Sequence, residues 1–208
     1  AVAALSGQKD MLDIRLCQLV NLMENGKPVK MSKRAGTFVT VRDVIDAVGA
    51  DVIRFIMLTR RSDQTLDFDY AKVTEQSRDN PVFYVQYAHA RACSVLRQPG
   101  INGEDVTGAS DAALDRLTAP AEMAVIKALA SWPRLVVSAA QSHEPHRVAF
   151  YLMNLAASFH ALWTAGREAP ELRFIRDDDA GLTSARLCLV KATALVIRSG
   201  LGLSLIHI

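Results

Sequence analysis

Between Glu144 and Gly166 the chain carries Val148, Tyr151, Leu152, Leu155, Phe159, Leu162 and Trp163 at helical spacing. A helix with so continuous an apolar face folds only by covering it with other elements. The neighbouring sequence supplies more helices. Asp79-Asn80-Pro81 is a start signal, because proline is tolerated in a first turn whose N–H has no partner anyway, and the helix it opens runs to about Gln98. Residues 99–110 are a loop by composition, and Asp111 caps a short helix. Ala121 to Gln141 is helix-like, with Pro133 as a kink or break after Trp132. Glu144-Pro145 opens the reference helix and Gly166 ends it, while Thr183 to Ser199 turns Leu187, Leu189, Val190, Leu195 and Val196 toward the same core. The expectation is a mostly α chain that becomes a helical bundle over 79–208.

The first part of the chain reads differently. Met11-Leu12-Asp13-Ile14-Arg15-Leu16 alternates as a strand does, and Glu24-Asn25-Gly26 reads as a turn. Thr40 with Asp43 forms a capping-box pattern that opens a helix through Val48, closed by Gly49. Apolar residues of Asp51 to Thr59 again recur at helical spacing, and Asp69 is an N-cap candidate for a further short helix. Residues 1–40 are thus expected to supply a strand or strands and then a loop, and 41–78 a run of short helices. A lone strand leaves polar edges and apolar faces uncovered, so residues 1–40 are expected to be poorly ordered or to pair with something else.

Composition narrows the chemistry. The 208 residues are half apolar and carry a formal net charge of only +2, so any nucleic-acid binding must come from a local basic patch. Cys17, Cys93 and Cys188 lie far apart without a Cys-x-x-Cys, which points away from a zinc knuckle and toward small buried hydrophobes in a reducing compartment. No unbroken apolar run approaches the ~20 residues of a membrane helix, and the N-terminal stretch lacks a signal peptide's pattern. The expectation is a cytoplasmic protein with no membrane partner.

Three stretches carry candidate chemistry. Lys30-Met31-Ser32-Lys33-Arg34-Ala35-Gly36-Thr37 gathers cations and neutral donors on one short loop, suited to following a moving phosphoryl group. In the helix after Pro81, Phe83, Tyr87, Ala90 and Ser94 share a face with Arg91 beside them. Two readings stand here: a stacking platform for an unpaired base, or aromatics packed into the bundle with Arg91 on the rim. Arg186, Lys191 and Arg198 on the last helix are candidate phosphate contacts. Asp177-Asp178-Asp179 reads as a solvated turn rather than a metal site, since consecutive carboxylates point apart, and His89 reads as a surface or satisfied histidine.

These motifs, in this order, resemble bacterial arginyl-tRNA synthetases. The Lys30–Arg34 loop resembles the second signature of class I aminoacyl-tRNA synthetases. Cys17–Met23, Gly49–Phe55, Asp79–Arg91, Trp163, Gly166, Arg173-Phe174 and Leu182–Leu187 resemble the arginine enzyme in particular. The resemblance implies that 1–40 is the end of a Rossmann-like α/β catalytic domain and that 79–208 is an anticodon-binding domain. It further implies use of ATP with Mg2+ to form arginyl-adenylate, then transfer of arginine to its tRNA by a monomer. Lys30 and Lys33 become the catalytic lysines, with Met31, Ser32, Arg34 and Gly36 completing the ATP-binding loop; no metal site of the protein's own is implied. Tyr87, Arg91, Phe83 and Arg186 become the tRNA contacts. The partner His-x-Gly-His signature, upstream in the family, does not occur here. The chain is therefore expected to be the C-terminal portion of a longer enzyme, and to be inactive in aminoacylation alone. Its last residues, Leu203-Ser204-Leu205-Ile206-His207-Ile208, depart from the family's ending. A stand-alone tRNA-binding module, a helical scaffold for a protein partner and cysteinyl-tRNA synthetase remain as alternatives.

Overall fold

The computed structural model describes residues 14–29, 39–74, 80–98, 110–206 and the single positions 5, 7, 100, 101, 106 and 208. Asn25 and Gly26 both take positive φ, 53° and 76°, the geometry a two-residue hairpin turn requires. This turn joins β1 (Val20–Glu24) to β2 (Lys27–Pro28) in antiparallel register, Glu24 opposite Lys27. β1 also pairs in parallel with β3 (Leu66–Asp69), giving the order β2-β1-β3. In β3 the side chains alternate, Leu66 and Phe68 buried and Asp67 outward. Asp69 then accepts from the N–H groups of Asn25, Gly26 and Lys72, tying the hairpin turn to the short helix α3 (Tyr70–Thr74).

Two expectations change here. The strand lies at Val20–Glu24, while Ile14, Arg15 and Leu16 belong to no strand and Met11–Asp13 lie outside the described residues. Asp67-Phe68-Asp69, read as the approach to a helix, is itself the strand that β1 pairs with.

Thr40 and Asp43 close a reciprocal capping box: Thr40 Oγ1 accepts from the Asp43 N–H at 3.1 Å, and the carboxylate accepts from the Thr40 N–H at 2.7 Å. That box starts α1 (Val41–Val48), and Gly49 separates it from α2 (Ala50–Leu58). Asn80 caps α4 (Pro81–Leu96) through the Val82 N–H. A short α5 (Asp111–Leu114) follows, with Ser110 rather than Asp111 at its N-cap. Three long helices complete the bundle: α6 (Pro120–Ser142), α7 (His146–Glu168) and α8 (Ala180–Leu203). α6 runs through Pro133 as one helix, because the exposed proline loses its hydrogen bond on the solvent side. Tyr151 of α7 donates to the Ala128 carbonyl of α6, and burial pushes its phenol up to about 12.

The apolar stripes of α4, α6, α7 and α8 cover one another. Val82, Val85 and Ala88 of α4, Val125 of α6, Leu152, Leu155 and Phe159 of α7, and Val190 and Ile197 of α8 are fully enclosed. Each of these side chains larger than alanine stabilises the fold by about 1.5–3 kcal/mol relative to exposure. Contrary to expectation, α6, α7 and α8 are each long and apolar enough to cross a bilayer. Their alanine-rich stripes reach that hydropathy without any unbroken apolar run, and they also turn Glu122, His160 and Arg186 inward. Cys17 is exposed, not buried, and Cys93 and Cys188 are half-buried.

Helices α7 and α8 meet at Gly200, where an added Cβ would lie 2.6 Å from Leu152 Cδ2. Leu152 is fully buried and cannot step aside. Gly200→Ala is therefore expected to lower stability by about 1–2 kcal/mol in denaturant unfolding, overpacking outweighing alanine's better helix propensity.

Candidate nucleic-acid interface

Arg91 is the centre of a cleft of about 820 Å³ between α4, the end of α7 and the segment 173–175. Its guanidinium carbon lies 4.3 Å from the Tyr87 ring centroid and 5.0 Å from that of Trp163, within the range of cation–π attraction. Tyr87 is 55% exposed. It therefore stands at the open edge of the cleft, and the reading of this residue as bundle core fails. Ala90, Ser94 and Gln98 continue the α4 wall, and Arg167, Arg173, Phe174 and Ile175 form the other side. The lining holds three arginines and no carboxylate, and among the described residues none of the three pairs with an acid. Such a site attracts anions and offers flat faces to bases.

The far wall is built by packing. Gly166 lets the Leu172–Arg173 backbone lie directly on α7: a Cβ there would stand 3.0 Å from the Leu172 carbonyl. This is the reason for glycine at 166, since α7 continues to Glu168 rather than ending there. Phe174 stacks on Phe159 at 5.8 Å and leans on Trp163 at 6.0 Å, bracing the indole.

Beneath the wall lies the buried pair of Glu122 and Arg186, 1% and 4% exposed. Arg186 Nε donates to Glu122 Oε1 at 2.7 Å, and Nη1 donates to the carbonyls of Glu171 and Arg173 at 2.7 and 2.8 Å. The second carboxylate oxygen, Oε2, accepts from the Ala119 N–H that opens α6. Arg186 is thus not a tRNA contact, because its charge is buried and its donors are engaged inside the protein. Instead it holds the backbone that presents Arg173.

Phe83 is also outside the cleft. Each four-residue step along an α-helix turns the direction by about a further 40°, so Phe83 has rotated from Arg91 to the core edge, where it packs half-buried. Lys191 donates to the Val106 carbonyl, and Arg198 stands exposed on another face. Asp178 pairs with Arg176, while Asp179 pairs with Arg116 and caps α8. The Arg116 guanidinium and the Leu182 N–H hold the Asp179 carboxyl down at about 2. Lys30, Met31, Ser32, Lys33, Arg34 and Gly36 lie outside the described residues; their flanks are Val29, bonded to the Leu22 carbonyl, and the Thr40 cap. Gln98, Trp163, Arg167, Arg173 and Phe174 are among the cleft residues that sequence reasoning did not assign to binding.

Two rings, His160 buried and His89 half-buried, give the fold a pH dependence. Burial lowers the pKa of His160 and, with Arg198 and Arg97, that of His89, both from 6.5. The unfolded rings take up protons that the folded ones refuse. This contribution is present in full above the unfolded value and is lost as pH falls below it. The denaturant midpoint is expected to drop between about pH 7 and 5, more than in a His89→Gln, His160→Gln chain.

Residues 85–208, the helical bundle that carries this basic, aromatic cleft, match the DALR anticodon binding domain family, to which this chain belongs. Its relatives are more particular. The chain is 60% identical over 206 residues to the arginine–tRNA ligase of Rhodospirillum rubrum, a match covering 97% of this chain and 35% of that protein. It is 58% identical over 205 residues to the arginine–tRNA ligase of Ruegeria pomeroyi, covering 98% and 35%. It thus spans about a third of the length of the curated relatives it matches. Among solved structures, an arginyl-tRNA synthetase from Campylobacter jejuni superimposes with a TM-score of 0.77 at 29% identity, over 92% of this chain and 39% of the other. The arginyl-tRNA synthetase of Thermus thermophilus gives 0.67 at 27% identity, over 92% and 34%. The cysteine enzyme finds no support in these comparisons.

Proposed function

We propose that this chain serves arginine–tRNA ligation, with the cleft around Arg91 receiving unpaired bases of arginine tRNA. The observation that carries the reading is the cleft itself: three arginines without a paired acid, facing Tyr87, Trp163 and Phe174. Tyr87 offers a stacking face, Arg91, Arg167 and Arg173 offer charge to the phosphates, and Ser94 and Gln98 offer neutral hydrogen bonds to base edges.

The remaining parts of the reading follow from the family. ATP, with its Mg2+, is the substrate of the Lys30–Gly36 loop, where Lys33 stabilises charge on the leaving pyrophosphate and Lys30 and Ser32 position the loop. Arginine is the amino acid attached, the working form is a monomer, and the setting is cytoplasmic. Residues 1–40, 41–78 and 79–208 act as catalytic-domain end, connector and tRNA-reading bundle.

Binding of the chain to arginine tRNA, measured across a salt series, tests the reading. The logarithm of affinity is expected to fall with the logarithm of salt by about 0.7 per single-strand phosphate neutralised, so a slope near 2 for three arginines. Binding is also expected to weaken when the central anticodon base is changed. Salt-independent binding, or none by the folded chain, overturns it.

A further inference from the structure

The guanidinium at the centre of the cleft is held by a neutral ring instead of a carboxylate. Arg91 Nη1 lies 2.9 Å from His160 Nδ1, and His160 Nε2 lies 3.2 Å from the Tyr84 carbonyl oxygen. A guanidinium only donates and a carbonyl only accepts. Both contacts are therefore made only by a neutral imidazole whose proton sits on Nε2, so that Nδ1 accepts from Arg91. The ring is 8% exposed and wedged between Tyr84, at 4.6 Å, and Tyr87, at 5.7 Å. Burial favours the neutral form, and Arg91 adds to it, against the opposing pull of the Tyr84 carbonyl.

A carboxylate in this place would also orient Arg91. It would, however, cancel the charge and compete with a phosphate for the same donors. A neutral acceptor orients without neutralising. It engages Nη1 and leaves the guanidinium, which lines the cleft, without a carboxylate partner among the described residues.

We propose that His160 is a positioning residue for RNA recognition, fixing the Arg91 guanidinium against Tyr87 and Trp163 while leaving its charge free for the nucleic acid. The proposal rests on the reading of the cleft as an RNA site, and the test separates the two. Arginine-tRNA binding is measured at one salt concentration for the native chain, Arg91→Met, His160→Leu and His160→Gln, with unfolding midpoints showing which variants are folded. Glutamine supplies an N–H for Tyr84 and a carbonyl for Arg91 within one side chain.

The expected result is weakening of about tenfold or more for Arg91→Met and His160→Leu, with most of the loss restored in His160→Gln. Native affinity in a folded His160→Leu chain, beside a weakened Arg91→Met, overturns the positioning role and leaves the cleft reading intact. Equal loss in the leucine and glutamine variants overturns it as well, since the ring then matters only for packing. An Arg91→Met chain with native affinity overturns the cleft reading and the proposal together. A measurement on the native chain stands apart from variant folding: long-range nitrogen–proton NMR correlations at neutral pH are expected to show His160 as the Nε2–H tautomer. A proton on Nδ1 overturns the proposal.

Discussion

Arginine tRNA is expected to bind the Arg91→Met chain roughly 10- to 150-fold more weakly than the native chain, the equivalent of about 1.5–3 kcal/mol for hydrogen bonds from a charged donor. Methionine keeps much of the arginine stem's bulk between Tyr87 and Trp163, so the fold is disturbed little. Equilibrium binding with labelled tRNA gives the magnitude, and the salt series gives the mechanism. If Arg91 contacts a phosphate, the slope shrinks by about 0.7 along with the affinity. If it reads a base edge, the affinity falls and the slope stays. Tyr87→Ala supplies the companion result. Tyr87 is more than half exposed, so its loss is expected to remove about 1–3 kcal/mol of base stacking and to cost about 1 kcal/mol or less of stability. Trp163 is unsuited to that comparison, because Phe159 and Phe174 pack on it.

The second large effect is on stability. Glu122→Ala removes the only carboxylate that Arg186 meets among the described residues, and leaves a buried cation with two carbonyls for company. Breaking such a pair from one side costs about 3–5 kcal/mol. For a chain near this size that corresponds to a fall in Tm of roughly 6–20 °C. The Ala119 N–H at the start of α6 loses its acceptor at the same time. Replacing both members, Glu122→Met with Arg186→Met, is expected to recover much of the loss in thermal unfolding, because the cost lies in the uncompensated charge. A single variant as stable as the native chain would show that water reaches the pair.

The parts of the fold that sequence made legible are those decided within a few residues. The Thr40–Asp43 box, the Asn25-Gly26 turn and the Asn80-Pro81 helix start each depend on side chains that bond to their own backbone neighbourhood. β3 was not legible, because its partner is more than forty residues away and Asp69 also suits the start of a helix. Arg186 had a readable signal that was missed. It lies on the stripe with Leu182, Leu189 and Thr193, which turns inward, and Glu122 lies likewise with Val125. Two opposite charges on two apolar stripes announce a buried pair. Helical spacing places Tyr87 and Arg91 side by side but leaves a stacking platform and bundle core as open readings, and only the exposure of Tyr87 in the folded chain tells against the core. The opposite wall, from Trp163 to Phe174, depends on how α7 lies against α4, which no local pattern states.

The close approach at Gly166 sets a limit on moving this cleft to another scaffold. Grafting Tyr87, Arg91, Trp163, Arg173 and Phe174 onto a different bundle would transfer the chemistry without the geometry. The backbone bearing Arg173 packs this closely on α7 because residue 166 has no Cβ, which would stand 3.0 Å from the Leu172 carbonyl and push the wall out by a few tenths of an ångström. The smallest portable unit therefore includes an atom that is missing, and a designer who keeps every side chain that lines the cleft but puts alanine at 166 would expect the wall to stand off from α7.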